Sequence, residues 1–137
     1  MTDMTAALNI AASGLRAQTA RMKVIAENIA NANSTAPNAG ADPYRRKVAT
    51  FGQVLDRETG TNEVKMTGVS QDRTDFRLRY DPTHPGADAN GYVKMPNVNT
   101  LIESMDMREA QRAYEANLNV VESARAMMTR TIDLLRR

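Results

Sequence analysis

Two helical periodicities at opposite ends of the 137-residue chain constrain its fold more than any other feature. Apolar and small side chains recur every three or four residues from Met4 to Ala32, and again from Met107 to Leu135. This spacing keeps one narrow stripe on one side of an α-helix and is typical of helices that pair in a coiled coil. We predict helices over 5–32 and from Thr100 to the last residue.

The start of the second helix carries a capping signal. Thr100 stands three residues before Glu103, and in a capping box these two side chains satisfy free backbone N–H groups of the first turn. We therefore predict that Thr100 caps this helix.

Both helical stripes contain enough apolar residues to pack against neighbouring helices as well as against each other. Apolar residues at helical spacing are usually ordinary core, but Ala7, Ala12, Ala26, Leu101 and Ala113 extend the apolar character beyond a narrow seam. We expect further helices to pack there. The predicted assembly stripe consists of Leu8, Leu15, Met22, Ile25, Ile29, Tyr114, Leu118, Val121, Met128, Ile132 and Leu135.

The middle of the chain has a different composition. All five prolines and most of the seven glycines lie between 33 and 99, where the periodicity shifts towards two. This composition predicts a mobile connector at 31–42, unless a neighbour orders it, and a turn at 56–60. The predicted strands cover 44–51, 62–68, 75–80 and 91–95.

These elements predict a mainly α protein with a small β-containing insertion. We expect residues 1–35 and 100–137 to form one inner domain in which the terminal helices pair as a coiled coil. Residues 36–99 would form an irregular, β-containing middle region.

Charge and composition argue against several classes of function. Lys and Arg number 18 against 16 Asp and Glu, so there is no strongly basic surface for nucleic acid. The densest basic cluster is Arg45, Arg46 and Lys47, beside Tyr44. Strand alternation would place Tyr44 and Arg46 on one face and the other two on the opposite face, which favours a charged edge or contacts between subunits.

No combination of residues indicates catalysis. His84 is the only histidine, and between two prolines it favours a turn over a metal or base site with Asp81 and Asp88. The carboxylate pairs 72/75 and 103/106 have ordinary spacing, and no nucleophile motif or phosphate-binding loop accompanies them. We expect no catalytic, cofactor-binding or metal-binding residues.

Four runs of residues resemble one family. The first is ASGL at 12–15 with IAENIANANST at 25–35, and the second is PYRRK at 43–47. The third is the stretch from DPTHP at 81–85 through MPNVN at 95–99, and the fourth is MDMREAQRAYEAN at 105–117. Together they resemble the bacterial flagellar basal-body rod proteins, most closely the subunits of the proximal rod, and this resemblance extends over nearly the whole chain.

The resemblance implies a structural subunit of the driveshaft that passes torque from the membrane-embedded rotor through the periplasm to the hook. It implies that other rod proteins and copies of the chain are the partners. It also implies export by the flagellar type III apparatus without a cleaved signal. Residues 1–30 agree with this route, since they lack a basic n-region and carry polar interruptions. We expect no nucleic-acid partner and no direct lipid binding.

The residues alone also allow a different class of protein. A soluble helical adaptor or regulator could use the same terminal hairpin to bind one partner without polymerising. The two classes differ in stoichiometry, since an adaptor forms a closed complex and an axial subunit adds to an open helical array.

Overall fold

The structure is a computed structural model that describes residues 2–137. Helix α1 spans Thr2–Ala30 and helix α2 spans Thr100–Leu135, so both terminal helices are present. Helix α1 begins three residues before the predicted start and ends two residues before the predicted end. Asn31 helps to end it, because its side-chain amide donates to the backbone oxygen of Glu27 at 2.8 Å.

The predicted cap of α2 was wrong by one residue. The Asn99 carboxamide oxygen accepts hydrogen bonds from the backbone N–H groups of Leu101 and Ile102, at 3.1 and 3.5 Å. Asn99 is therefore the N-cap, because its short polar side chain reaches the free donors of the first turn. Glu103 does not serve as the second half of a capping box, since its carboxylate is buried and binds elsewhere.

Four strands form two small sheets in the middle of the chain. Strands β1 (Lys47–Leu55) and β2 (Asn62–Gln71) pair with each other. The predicted turn between them is confirmed: the backbone N–H of Gly60 donates to the oxygen of Asp56, and Gly60 adopts a φ of 69°. Strand β1 ends at Leu55 and β2 at Gln71, beyond the predicted ends at 51 and 68. Residues 44–46, which were predicted to belong to the first strand, precede β1.

The second sheet pairs β3 (Arg77–Tyr80) with β4 (Tyr92–Met95) in antiparallel register. Val93 and Met95 point into the core, while Tyr92 and Lys94 are exposed. This alternation is the period of two that the sequence predicts for a half-buried strand.

The chain divides into two compact units. The first comprises Met1–Met22, Thr50–Gly68 and Arg108–Arg137, described from residue 2 onward, and the second comprises Lys23–Ala49 and Val69–Met107. Small residues such as Ala11, Ala17, Ala110 and Ala124 form the interior of the first unit. The core of the second unit contains Val93, Met95, Pro96 and Val98, with Ala32 and Ala36 from the connector.

The coarse fold class is confirmed: a helix at each end of the chain, with a small β middle region of two sheets. None of the helices within residues 2–137 combines the length and apolar character that a membrane span requires.

Candidate assembly surfaces

A buried asparagine organises the second unit. Asn28 on α1 is fully buried. Its side-chain oxygen accepts from the Tyr44 hydroxyl at 2.7 Å and from the Lys47 backbone N–H at 2.9 Å. Its amide donates to the Lys47 carbonyl at 2.8 Å and to the Glu103 carboxylate at 3.3 Å. All four hydrogen bonds that an Asn side chain can make are present, so its burial is compensated.

Glu103 is the buried charge of the same network, with 1% of its surface exposed. The Arg46 guanidinium donates to its carboxylate through Nε and also contacts Asp72 at 3.4 Å and Asp106 at 3.8 Å. The hydrogen bond to Glu103 raises the pKa of Arg46, so the guanidinium stays charged. A buried carboxylate is tolerated in a fold when it is paired and hydrogen-bonded, as Glu103 is.

The pKa values of two neighbouring groups, Tyr44 and Asp72, are also shifted by their surroundings. Burial raises the pKa of the Tyr44 hydroxyl, and the negative charges of Glu27 and Glu103 raise it further. The pKa of Asp72 is lowered, first because its carboxylate accepts the Thr74 backbone N–H and then through the Thr74 hydroxyl and Arg46.

The predicted alternation of Tyr44 to Lys47 across two strand faces was wrong. Residues 44–46 precede β1, so their side chains do not follow the period of two. Tyr44, Arg46 and Lys47 all contact groups within the chain, and the Lys47 ammonium pairs with Glu27 at 3.2 Å. Arg45 differs: it lies over the Phe76 ring at 4.2 Å, and among the described residues it donates only to backbone oxygens.

In the first unit, α1 and α2 come into direct contact. A Cβ added to Gly14 would lie 2.7 Å from the Asn117 amide nitrogen and 3.0 Å from its carboxamide carbon, so the glycine makes room for Asn117. One heptad further along α1, Arg21 pairs with Glu109 of α2 at 3.5 Å. From the first contact to the second, the residue number rises from 14 to 21 on α1 and falls from 117 to 109 on α2. The two helices are therefore antiparallel in this unit.

The hairpin of β1 and β2 is attached to α1 in the same unit. The buried Ser13 hydroxyl accepts the Val64 backbone N–H at 3.3 Å and donates to the Ile10 carbonyl at 2.7 Å. Arg16 pairs with the buried Glu63 at 3.6 Å. Polar contacts from Ser13 and Arg16 therefore attach strand β2 to α1.

The predicted stripe residues differ in burial. Ile25 is buried, most of the others are half-buried, and Leu118, Ile132 and Leu135 are exposed in the single chain. Ser13, Ala17 and Asn28 of α1 are also buried, and they lie to one side of the stripe. The sequence analysis missed these polar and small positions because it followed large apolar side chains. The available signal was the isolated Asn28 within an apolar helical run.

His84 lies in a turn and is half-buried, as the turn interpretation predicts. Its Nδ1 accepts the Gly86 backbone N–H at 2.9 Å, and its Nε2 lies 3.0 Å from the Thr35 hydroxyl. This contact is one of those that order the connector from within the chain. Across residues 2–137, no group of three or more His, Cys, Asp or Glu side chains is placed to hold a metal ion.

A long helix at each end of the chain, with exposed apolar side chains such as Leu118 and Ile132, is typical of a structural subunit that packs against other chains. Two family models match the chain: "Flagella basal body rod protein" over residues 8–36 and "Flagellar basal body rod FlgEFG protein C-terminal" over residues 89–134. The chain belongs to the flagellar basal-body rod protein family, and the resemblance of the four sequence runs is confirmed.

Relatives cover nearly the full chain. It is 54% identical over 136 residues to "Flagellar basal-body rod protein FlgC" of Agrobacterium fabrum, covering 99% of this chain and 98% of the relative. The protein of the same name from Salmonella typhimurium is 40% identical over 126 residues, covering 92% and 93%. The one from Bacillus subtilis is 36% identical over 142 residues, covering 93% and 95%. All three relatives carry the name of a flagellar basal-body rod protein.

Proposed function

We propose that the chain, a structural subunit of the flagellar basal-body rod, builds the proximal rod through an antiparallel coiled coil of its terminal helices. Copies of the chain and other rod proteins would pack against this coiled coil in a helical array. The observation that carries the proposal is the regular spacing of the contacts between α1 and α2.

These contacts recur once per heptad. In the first unit, Gly14 meets Asn117 and Arg21 meets Glu109. Within the second unit, Asn28 meets Glu103. In the first unit, a step of seven residues along α1 corresponds to a return of eight residues along α2. This spacing is close to the heptad repeat that lets two helices stay in contact along a seam.

The burial pattern of α2 supports the same proposal. Glu103, Ala110 and Ala124 are buried and Asn117 is half-buried, and these positions are separated by multiples of seven. The exposed stripe residues Leu118, Ile132 and Leu135 would be covered by neighbouring subunits. In this proposal residues 1–35 and 100–137 form the inner domain and 36–99 form the outer part.

The small size of the buried side chains supports folding during assembly. The interior of the first unit consists largely of alanines, each of which contributes little hydrophobic free energy. Isolated helices are marginally stable without tertiary packing. The terminal parts of both helices would therefore be largely unfolded in the free subunit, which suits export through the type III apparatus without a cleaved signal. The subunit would have no catalytic role.

Far-UV circular dichroism combined with sedimentation tests this proposal. The purified chain at low concentration should be a weakly helical monomer, and it should gain helix and mass together at high concentration or with other proximal-rod proteins. A fully helical monomer that ignores those partners would contradict the proposal. A closed complex of fixed stoichiometry would favour the soluble adaptor instead.

A further inference from the structure

Arg45 is held in place without a carboxylate partner. Its Nη1 donates to the backbone oxygens of Asp72 and Thr74 at 3.2 and 3.3 Å, and its guanidinium lies over the Phe76 ring. Within residues 2–137 these are its polar and ring contacts. The nearby Asp72 carboxylate is already engaged, with one oxygen towards Thr74 and the other towards Arg46. Arg45 is thus a half-buried cation whose charge is not neutralised.

A second unpaired arginine lines the same cavity. Arg45, Arg73 and Gln71 surround an open cleft of about 220 Å³ in the second unit. Arg73 is exposed and makes no hydrogen bond or ion pair with the described residues. Two cations facing one cleft repel each other, and an anion between them removes that repulsion. Guanidinium groups match the geometry of a carboxylate, which they bind through two parallel hydrogen bonds.

The chain also carries carboxylates without partners. Glu115 and Glu122 are exposed on α2, one heptad apart, and neither pairs with a cation in the described residues. Both residues therefore offer negative charge to a neighbouring molecule. This charge complementarity favours a second copy of the chain as the source of the anion.

We propose that Arg45, Arg73 and Gln71 form a carboxylate-binding cleft that receives Glu115 or Glu122 from a neighbouring copy. The identity of this partner rests on the proposed function as a rod subunit. The cleft separates the roles of adjacent residues: Arg46 stabilises its own chain, and Arg45 makes a contact between subunits.

Arginine side-chain NMR tests whether the cleft binds a carboxylate. The full chain, labelled with ¹⁵N-arginine, is titrated with N-acetylglutamate. The Nε–H signals of Arg45 and Arg73 should shift saturably, and the signal of Arg57, an exposed arginine at the hairpin turn, should not. Equal, unsaturating shifts at all three arginines would overturn the site.

Incorporation into basal bodies tests the source of the carboxylate. Arg73→Glu should lower the amount of the chain in isolated basal bodies at least about tenfold, because it opposes like charges. Arg57→Glu, the matched control, should leave incorporation unchanged. Glu115→Arg or Glu122→Arg should restore incorporation of the Arg73→Glu chain.

The outcomes also separate this inference from the proposed function. Normal incorporation of Arg73→Glu would overturn the cleft as a contact and leave the rod assignment intact. Carboxylate binding with no rescue by either reversal would overturn the second copy as the source. Absence of the wild-type chain from basal bodies would instead contradict the proposed function.

Discussion

Asn28 on α1 donates a hydrogen bond to Glu103 on α2 across 3.3 Å, and both side chains are buried. This contact connects two residues that lie 75 positions apart in sequence. Through Asn28 and Arg46, the same network includes the residues that precede β1. Loss of one member therefore leaves several buried polar groups without partners.

Glu103→Gln should destabilise the second unit by about 1.5–3 kcal/mol, because it removes the buried charged acceptor of Arg46, which keeps only its contacts with Asp72 and Asp106. Hydrogen exchange of amides in 23–49 and 69–107 measures this loss. Glu27→Gln is the matched control in the same unit: its ion pair with Lys47 is exposed to solvent, so it should cost less than about 1 kcal/mol. Equal effects of the two substitutions would contradict the role assigned to Glu103.

Gly14→Ala should stabilise the first unit by less than the roughly 1 kcal/mol that alanine in place of glycine usually contributes within a helix. The gain is smaller because the Asn117 side chain must move away from the added methyl group. Thermal unfolding of the assembled rod, or of the chain with its rod partners, measures the effect. In an Asn117→Ala background, Gly14→Ala should give the full stabilisation. The same full stabilisation with Asn117 present would show that the two helices are further apart.

The lowered pKa of Asp72 predicts a specific sensitivity to acid. A carboxylate whose pKa is lower in the folded state stabilises the fold above its ordinary pKa and loses that contribution as the pH falls through the folded value. The wild-type chain should therefore lose stability between about pH 5 and pH 3 more steeply than Asp72→Asn. Urea unfolding at several pH values measures the two slopes. Asp75→Asn, which changes a nearby exposed carboxylate, should follow the wild type.

Leu15→Asp and Val121→Asp should each abolish incorporation into the rod. Both residues are half-buried in the single chain, and a charge placed in an apolar seam costs more than about 2 kcal/mol. Swimming motility and the content of isolated basal bodies measure the result. Lys23→Asp adds negative charge at an exposed position of the same helix and should retain motility. Normal motility of both seam variants would contradict the predicted stripe.

The terminal helices could be predicted from sequence because apolar spacing reports helix geometry directly. The stripe of large side chains from Leu8 to Ile29 identified α1, and its bounds were accurate to within three residues. The position of the α2 cap could not be resolved in this way. Asn99 and Thr100 are both good capping residues, and only the backbone path decides which one caps the helix.

The buried polar network was beyond sequence reasoning for a different reason. Glu103 and Arg46 have ordinary helical and strand contexts in sequence, and each is usually exposed in proteins. Their burial depends on Asn28, Tyr44 and Lys47 arriving from distant parts of the chain. Long-range polar contacts of this kind have no local periodicity from which they could be predicted.

Disulfide cross-linking in assembled rods tests the central claim, the pairing of α1 with α2, most directly. The chain contains no cysteine, so Gly14→Cys with Asn117→Cys introduces one defined pair. The Gly14 Cβ position lies 3.0 Å from the Asn117 Cγ, close enough for a disulfide to form. Mild oxidation of purified basal bodies should give an intramolecular disulfide, whereas Gly14→Cys with Glu115→Cys should give none, because Glu115 is exposed and lies on the opposite side of α2 from Asn117. Failure of the 14/117 pair to cross-link in fully incorporated chains, or cross-links only between separate chains, would contradict the paired-helix account.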